Sequence, residues 1–370
     1  MEQLAVNSFH PDHLILYISG KLGLNKEPLT VITNMIEQNA LILAYEKPIT
    51  VKAISEMLGI SMVFAEEAVE KLVANELMNS LGSKVYTNFP IINEEFMQNI
   101  QNTQKEYVDK TFGKSRTVFD DLVKEYEKLN IFNKYSDVQL YLNSLYSMFH
   151  CVYIYLTDVY KSLKVEDYPE RKNSGKWIID FGYKRNRIDK EAFRIPHRLE
   201  AKFNTSSSYE VFVEIRDTFR SVSPWHTING INSHDVGELL YYINKGEKYD
   251  HLKTFLFPDL TRLGYVTKNG DGVYNSSIPV IPHVEYEKVL ELNDKYSKIY
   301  IELFKDELME MVESNVIKYP KLVNPVSGLA QQISLHAIAL TYAEKATEEG
   351  IISLNKTTNC PVAIIVEKSI

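Results

Sequence analysis

Between Thr50 and Leu77 the chain carries a helix-turn-helix pattern, and no other stretch restricts the fold as strongly. Residues 50–61 predict a short helix with Val51, Ile54 and Leu58 on one face, a tight turn at Gly59 and an N-cap at Ser61 that opens the next helix. That second helix places Val69, Leu72 and Val73 inward and runs on through Leu77-Met78 to a hairpin turning at Gly82-Ser83, with Val85-Tyr86 on the return. The order predicts a winged helix. Half a chain later, Leu260 to Tyr265, Asn269-Gly270-Asp271-Gly272, Val273-Tyr274 and Ile278-Pro279-Val280-Ile281 parallel Leu72 to Leu77, Gly82, Val85-Tyr86 and Phe89-Pro90-Ile91-Ile92. The parallel predicts a second winged-helix-like unit, with Tyr265 standing where Leu77 stands in the first. Its central turn and preceding short helix are not evident.

At 370 residues and 45% hydrophobic content the chain can bury more than one core. It has no apolar run of bilayer length, and its start at Met1-Glu2-Gln3-Leu4 lacks the pattern of a secretory leader, so a cytoplasmic location is expected. Two cysteines, Cys151 and Cys360, are too few and too far apart for a disulfide framework. Charge bears directly on function. The formal net charge is −8, the first arginine is Arg116, and the recognition helix carries Glu66, Glu67 and Glu70 on its polar side. Because phosphate neutralisation supplies most of the energy of nucleic-acid binding, this surface is a poor clamp for DNA on its own.

The expected fold class is α+β, mainly helical, in five pieces. Residues 1–93 form the winged helix, with helices at Pro11 to Ser19 and Leu29 to Tyr45 before the helix-turn-helix. Residues 94–168 form a helical connector, and the apolar run from Val138 to Leu156 could be a dimer helix. Residues 169–223 form a small β-rich region with strands at Lys176 to Tyr183 and Tyr209 to Arg216. Residues 224–283 hold the second winged-helix-like unit, with an amphipathic helix from Asp235 to Lys245 and a hairpin turn at Asn269-Gly270. Residues 284–370 hold C-terminal helices at Val284 to Ile317 and Gln331 to Glu349 and a terminal strand, Val362 to Val366.

The N-terminal helix-turn-helix, the Lys176-Trp177-Ile178 strand, Trp225-His226 ahead of Asp235 to Gly246, the Ile278-Pro279-Val280-Ile281 exit and the closing Cys360-Pro361-Val362-Ala363-Ile364-Ile365-Val366 together make a chain that resembles a family of uncharacterised Firmicute proteins of this length. Those proteins are commonly labelled winged-helix regulators or RNA polymerase sigma-70-like proteins. The resemblance covers most of the chain, rests on structural motifs and implies a role in transcription. A basic promoter-reading helix and an aromatic, basic melting segment are both missing.

The candidate DNA contacts are Ser61, Met62 and Phe64 at the start of the recognition helix, Lys52 on phosphate, and Lys84 and Tyr86 on the wing. In the plainer alternative Met62 and Phe64 are core. Lys184, Arg185 and Arg187 begin the densest positive run in the chain and could add phosphate contacts, or could form a solvated loop. An effector pocket for a small molecule could be built from Trp177, Tyr183, Phe212 and Trp225, whose aromatic walls would also serve as ordinary core. No phosphate loop, nucleophile elbow or paired His/Cys spacing is present, so neither catalysis, nor a metal, nor a cofactor is expected. Two functional classes follow. One is a dimeric DNA-binding transcription regulator. The other is a protein-binding module whose acidic helices dock RNA polymerase, a sigma subunit or another basic partner.

Overall fold

The computed structural model describes residues 11–24, 27–129, 131–159, 168–172, 174–185, 198–205, 209–216, 233–248, 251–276, 278–336, 338–353 and 362–369. The protein is α+β, with helices predominating and the strands gathered into small sheets. It divides into two compact units, each assembled from separate stretches of chain: residues 1–99, 160–192 and 315–330 make the first, and 100–159, 193–314 and 331–370 the second. The five consecutive pieces expected from the sequence are therefore replaced by two interleaved ones. Strand pairing is the cause, because each unit closes a sheet between strands far apart in the chain.

In the first unit, β1 (His13–Lys21) replaces the helix expected over Pro11 to Ser19. Its Leu, Ile and Tyr residues pair antiparallel along β6 (Lys176–Arg185), which also takes β5 (Ile91–Ile92) in parallel on its other edge. The register slips between Tyr17 and Ile18, so Asp180 is the extra residue of a bulge, and its carboxylate accepts a hydrogen bond from Ser19 Oγ at 2.6 Å. The next helix begins later than expected, as α1 (Met35–Leu43). Asn34 sets that start, since its side chain caps Ile36 and Glu37 while Glu37 returns a bond to the Asn34 amide. Buried Asn39 exchanges two hydrogen bonds with the backbone of Asp12 and so ties α1 to the start of β1.

After β2 (Ile49–Thr50) come α2 (Val51–Leu58), α3 (Met62–Ala74) and the hairpin β3 (Met78–Leu81) with β4 (Lys84–Thr87). Leu41, Ile54, Leu72, Leu77, Met78 and Trp177 fill the core these elements share.

The second unit takes most of the long helix α4 (Glu94–Leu129) and all of α5 (Asp137–Val159). The apolar run of α5 is accounted for by burial inside this unit, with Gln139 to Phe149, Val152 and Leu156 all buried. Strands β7 (Arg198–Asn204) and β8 (Tyr209–Arg216) follow. The stretch 169–223 is thus no region of its own, because β6 belongs to one sheet and β7 and β8 to another. Helix α6 (Ser233–Lys245) lies on β7 through Gly237, where a Cβ would come within 2.5 Å of Ala201 Cβ. A 3-10 turn (His251–Leu256), α7 (Phe257–Arg262), the hairpin β9 (Thr267–Lys268) with β10 (Tyr274–Asn275), and β11 (Val280–Pro282) complete the middle of the unit. Then come α8 (His283–Glu313), α9 (Leu329–His336), which begins in the first unit, α10 (Ile338–Glu348) and β12 (Ala363–Ser369). Helices α4, α5, α8 and α10 contribute Phe119, Phe149, Tyr300 and Tyr342 to one aromatic cluster, with neighbouring rings 5.0–6.4 Å apart.

The chain follows the same path twice. Strand, helix, a later helix ending in a hairpin, short strand, long helix, further helix and closing strand run from β1 to β6 and again from β8 to β12, with β2 and α2 extra in the first and the 3-10 turn and α9 extra in the second. Each closing strand lies between an antiparallel first strand and a parallel short strand, giving the sheet order β1-β6-β5 and, with β7 added on the far edge, β7-β8-β12-β11. Hydrogen bonds repeat at matched positions. Gly182 N–H donates to Pro90 O at 2.6 Å, and Ile365 N–H to Pro279 O at 3.1 Å. At the end of α3, Leu77 N–H reaches back to Leu72 O at 2.9 Å; at the end of α7, Tyr265 N–H reaches Leu260 O at 2.9 Å. Leu77 and Tyr265 thus make the same closing bond at the ends of their helices.

Candidate functional site

Helices α2 and α3 and the turn between them are built by local chemistry. Thr50 Oγ1 accepts from Ala53 N–H at 3.1 Å and starts α2. Gly59 ends the helix in the left-handed region at φ 65°, with its amide bonded back to Glu56 and Ser55. Among the described residues, no atom beyond its chain neighbours lies within 4 Å of a Cβ built there, so the glycine is required by backbone conformation and not by space. Ser55 Oγ then donates to Ile60 O at 2.8 Å across the turn. Ser61 occupies the N-cap of α3, but its side chain makes no capping bond and stays exposed.

Helix α3 buries Ala65, Ala68, Val69 and Leu72. Its opposite face is open. Met62, Val63 and Phe64 are 38%, 67% and 57% exposed, which excludes the core alternative for Met62 and Phe64. Glu66, Glu67 and Glu70 are exposed beside them at helical spacing from Val63 and Phe64. Residues 62–70 contain no lysine or arginine. The next cation along, Lys71, is turned to α1, where it pairs with buried Glu37 at 2.9 Å. The face is apolar at its start and negative beyond.

The other expected contacts fall around it in different ways. Lys52 is exposed and stands 3.7 Å from Glu56, one turn on. Lys84 is exposed at the hairpin, and half-buried Tyr86 accepts through its hydroxyl from Asn79 Nδ2 at 3.3 Å. Lys184 is bound to Asp12 at 2.8 Å, so its charge is partly neutralised within its own sheet. Arg185 ends β6 opposite His13, and Arg187 lies outside the described residues.

Of the expected effector residues, Trp177 and Tyr183 are buried on β6 in the first unit, Phe212 is half-buried on β8 in the second, and Trp225 lies outside the described residues. Trp177 has a neighbour that the sequence reading missed. The Arg171 guanidinium lies 4.4 Å over the indole and donates Nε–H to Trp177 O at 2.9 Å.

Comparison with protein-family models, curated proteins and solved structures finds no match to this chain. Its function must be argued from its own residues.

Two further groups bear on chemistry. Arg216 on β8 is buried against Glu214 at 2.7 Å, bonds Asn143 Oδ1 and Ser147 Oγ at 2.5 and 2.6 Å, and lies 4.6 Å over the Tyr146 ring. Burial alone would lower the guanidinium pKa, but the Glu214 carboxylate outweighs it and keeps the group charged. This network joins β8 to α5, its acid and base paired with each other, while Arg216 Nε and Asn143 Nδ2 are buried without a hydrogen-bond partner among the described residues. Burial pushes the Cys151 thiol up to about 11, with Asp294 adding to the rise and Arg216 opposing it, so it stays protonated and is a weak nucleophile. Among the described residues no group of three or more His, Cys, Asp and Glu could hold a metal ion, and no helix is long and apolar enough to cross a membrane.

Proposed function

We propose that this protein is a non-enzymatic transcription regulator built on an N-terminal winged helix, and that the winged helix works by docking a protein. In this reading α2 and α3 are the helix-turn-helix and β3–β4 the wing. The second path through α7, β9 and β10 is a related unit without the short leading helix. One observation carries the choice of partner: the open face of α3 combines exposed Met62, Val63 and Phe64 with three carboxylates and no cation. Exposed apolar side chains grouped on one helix favour burial against another surface. The carboxylates decide which surface. At physiological ionic strength charges are screened over about 8 Å, so a carboxylate on the contact face repels a phosphate it must touch and attracts a lysine or arginine there. A polymerase or sigma subunit with a basic, apolar patch fits the role that the family resemblance implies.

A DNA-binding reading has one observation of its own, the exposed start of α3 at Ser61 to Phe64 with Lys52 and Lys84 exposed nearby. The two readings separate by the sign of one effect. Glu66→Gln, Glu67→Gln and Glu70→Gln together should weaken the grip of the full chain on a lysine/leucine amphipathic helical peptide by about tenfold or more. The same three changes made on α8, at Glu291, Glu302 and Glu313, alter net charge equally and should leave that affinity nearly unchanged. If both triple variants behave alike, the face is not a docking site and the proposal fails.

A further inference from the structure

Beside the end of α3 the first unit encloses an open cavity of about 300 Å³, formed where the end of α3, the exit of the hairpin, the start of β6 and the segment 324–327 meet. Its polar lining residues are Glu76, Asn88, Arg171, Asn324 and Ser327, of which only Glu76 and Arg171 are charged, and Pro90, Ile178 and Val326 are among its apolar walls. We propose that this cavity binds a free α-amino acid with an apolar side chain.

An acid and a base face one another across the cavity as a long ion pair with no hydrogen bond between them. Arg171 is held by its Nε–H bond to Trp177 O and by stacking on the indole. The nearest approach of its Nη1 to Glu76 Oε1 is 3.9 Å, outside hydrogen-bond reach. A guanidinium fixed at Nε presents its terminal N–H groups as a planar fork for a carboxylate. Glu76 accepts from Lys172 N–H through Oε2 at 3.4 Å and presents Oε1 as an acceptor for an ammonium. A ligand carrying only a carboxylate would meet repulsion from Glu76, and one carrying only an amine would meet repulsion from Arg171. An α-amino acid places both charges on adjacent groups and leaves its side chain for Pro90, Ile178 and Val326.

Backbone conformation gives a second, independent reason. Glu76 has φ 60°, a left-handed conformation that glycine adopts freely and a side chain resists. The matched position in the second path is Gly264, at φ 80°, with the same closing bond: Glu76 N–H to Val73 O at 3.1 Å and Gly264 N–H to Thr261 O at 3.0 Å. A helix end that glycine satisfies in one copy is held by glutamate in the other, against its backbone preference, and the side chain so retained lines the cavity. Strain kept in this way marks a working side chain.

The site also touches the proposed docking helix. Glu76 stands two residues past the last residue of α3, and its carbonyl accepts from Asn88 Nδ2 at 3.3 Å, which joins the helix end to the hairpin exit. That occupancy would alter α3 rests on the docking reading above. The existence of the site does not.

The test uses the full chain with Trp225→Phe, leaving Trp177 as the only tryptophan. L-leucine and L-phenylalanine are titrated while tryptophan emission is followed, with leucinamide and 4-methylpentanoate as analogues lacking one charge each. The expected result is a saturable emission change with an amino acid, weaker by at least about tenfold for each analogue and in Arg171→Gln and Glu76→Gly, as loss of one charged hydrogen-bond partner requires. Glu76→Gly keeps the fold, because it installs the residue found at the matched helix end. No saturable change up to about 10 mM of either amino acid, equal response to the analogues, or full affinity in Glu76→Gly would overturn the proposal. The peptide experiment can fail without affecting this titration, and the reverse also holds.

Discussion

Replacing Glu76 should invert the usual order of alanine and glycine. In an ordinary helix or strand, glycine is less stable than alanine by roughly 0.5–1 kcal/mol. At φ 60° the Cβ of any other residue crowds the following carbonyl, at a cost of roughly 1–2 kcal/mol. Glu76→Gly removes that strain. Against it stand the extra freedom of glycine in the unfolded chain, roughly 0.4–1 kcal/mol, and the loss of a partly exposed ion pair with Arg171, worth about 0–1 kcal/mol. The net change falls within about 1 kcal/mol of zero. Glu76→Ala loses the same ion pair and keeps the strain, so it should be less stable than Glu76→Gly by about 1 kcal/mol. Gly59→Ala is a clean control, because φ is 65° and, among the described residues, no atom beyond its chain neighbours lies near the added Cβ; it should lose about 1 kcal/mol through backbone strain alone. The assay is urea denaturation followed by Trp177 emission in the Trp225→Phe background, which reports on the first unit directly. Glu76→Ala as stable as Glu76→Gly would refute the strain argument.

Three other outcomes follow from buried groups. Burial pushes the Asp180 carboxyl up to about 6 from an ordinary 3.8, with the Ser19 bond opposing, so the folded chain holds an extra proton between those values and loses stability as pH rises through them. Asp180→Asn should therefore flatten the stability–pH curve over that window and gain on the order of 2–3 kcal/mol at pH 7, read by denaturation at several pH values. Glu214→Ala should cost about 3–5 kcal/mol by leaving Arg216 buried without its counter-charge, while the double change Glu214→Leu with Arg216→Met should recover most of it in the same assay. In a Cys360→Ser chain, alkylation of Cys151 by iodoacetamide at pH 7 should run about 100-fold slower than for a free thiol.

How much of this was legible in the sequence depends on the range of the interactions. The turn at Gly59 was legible because a glycine between two amphipathic runs is a local signal, and the hairpin at Asn269-Gly270 for the same reason. Strand β1 was not, since its apolar residues suit a helix face as well as a strand, and the partner that decides the matter lies 161 residues away, as in the Ser19–Asp180 bond. The same range hid the true units. Their closing strands, β6 and β12, return to the first strands only after the helices between them have been traversed. For the cavity, the expected aromatic set contained Trp177 and missed Arg171 and Glu76. A usable signal existed: the internal parallel that sets Leu77 against Tyr265 also sets Glu76 against Gly264, and a glutamate where the other copy needs glycine marks a side chain kept for a reason.

Helix α3 is proposed to meet a protein and not a phosphate backbone. This is tested most directly by measuring, at two salt concentrations, how removing the charges of Glu66, Glu67 and Glu70 changes the affinity of the full chain for the lysine/leucine peptide and for a duplex of its own promoter region. The expected result is that the peptide is held about tenfold or more less tightly by the triple variant, and that the duplex is held no better than a scrambled one by either form. Sequence-specific binding of the duplex that strengthens when the carboxylates are removed, weakens with salt by roughly 0.9 in log–log slope for each phosphate contacted, and loses its specificity in Phe64→Ala would contradict it.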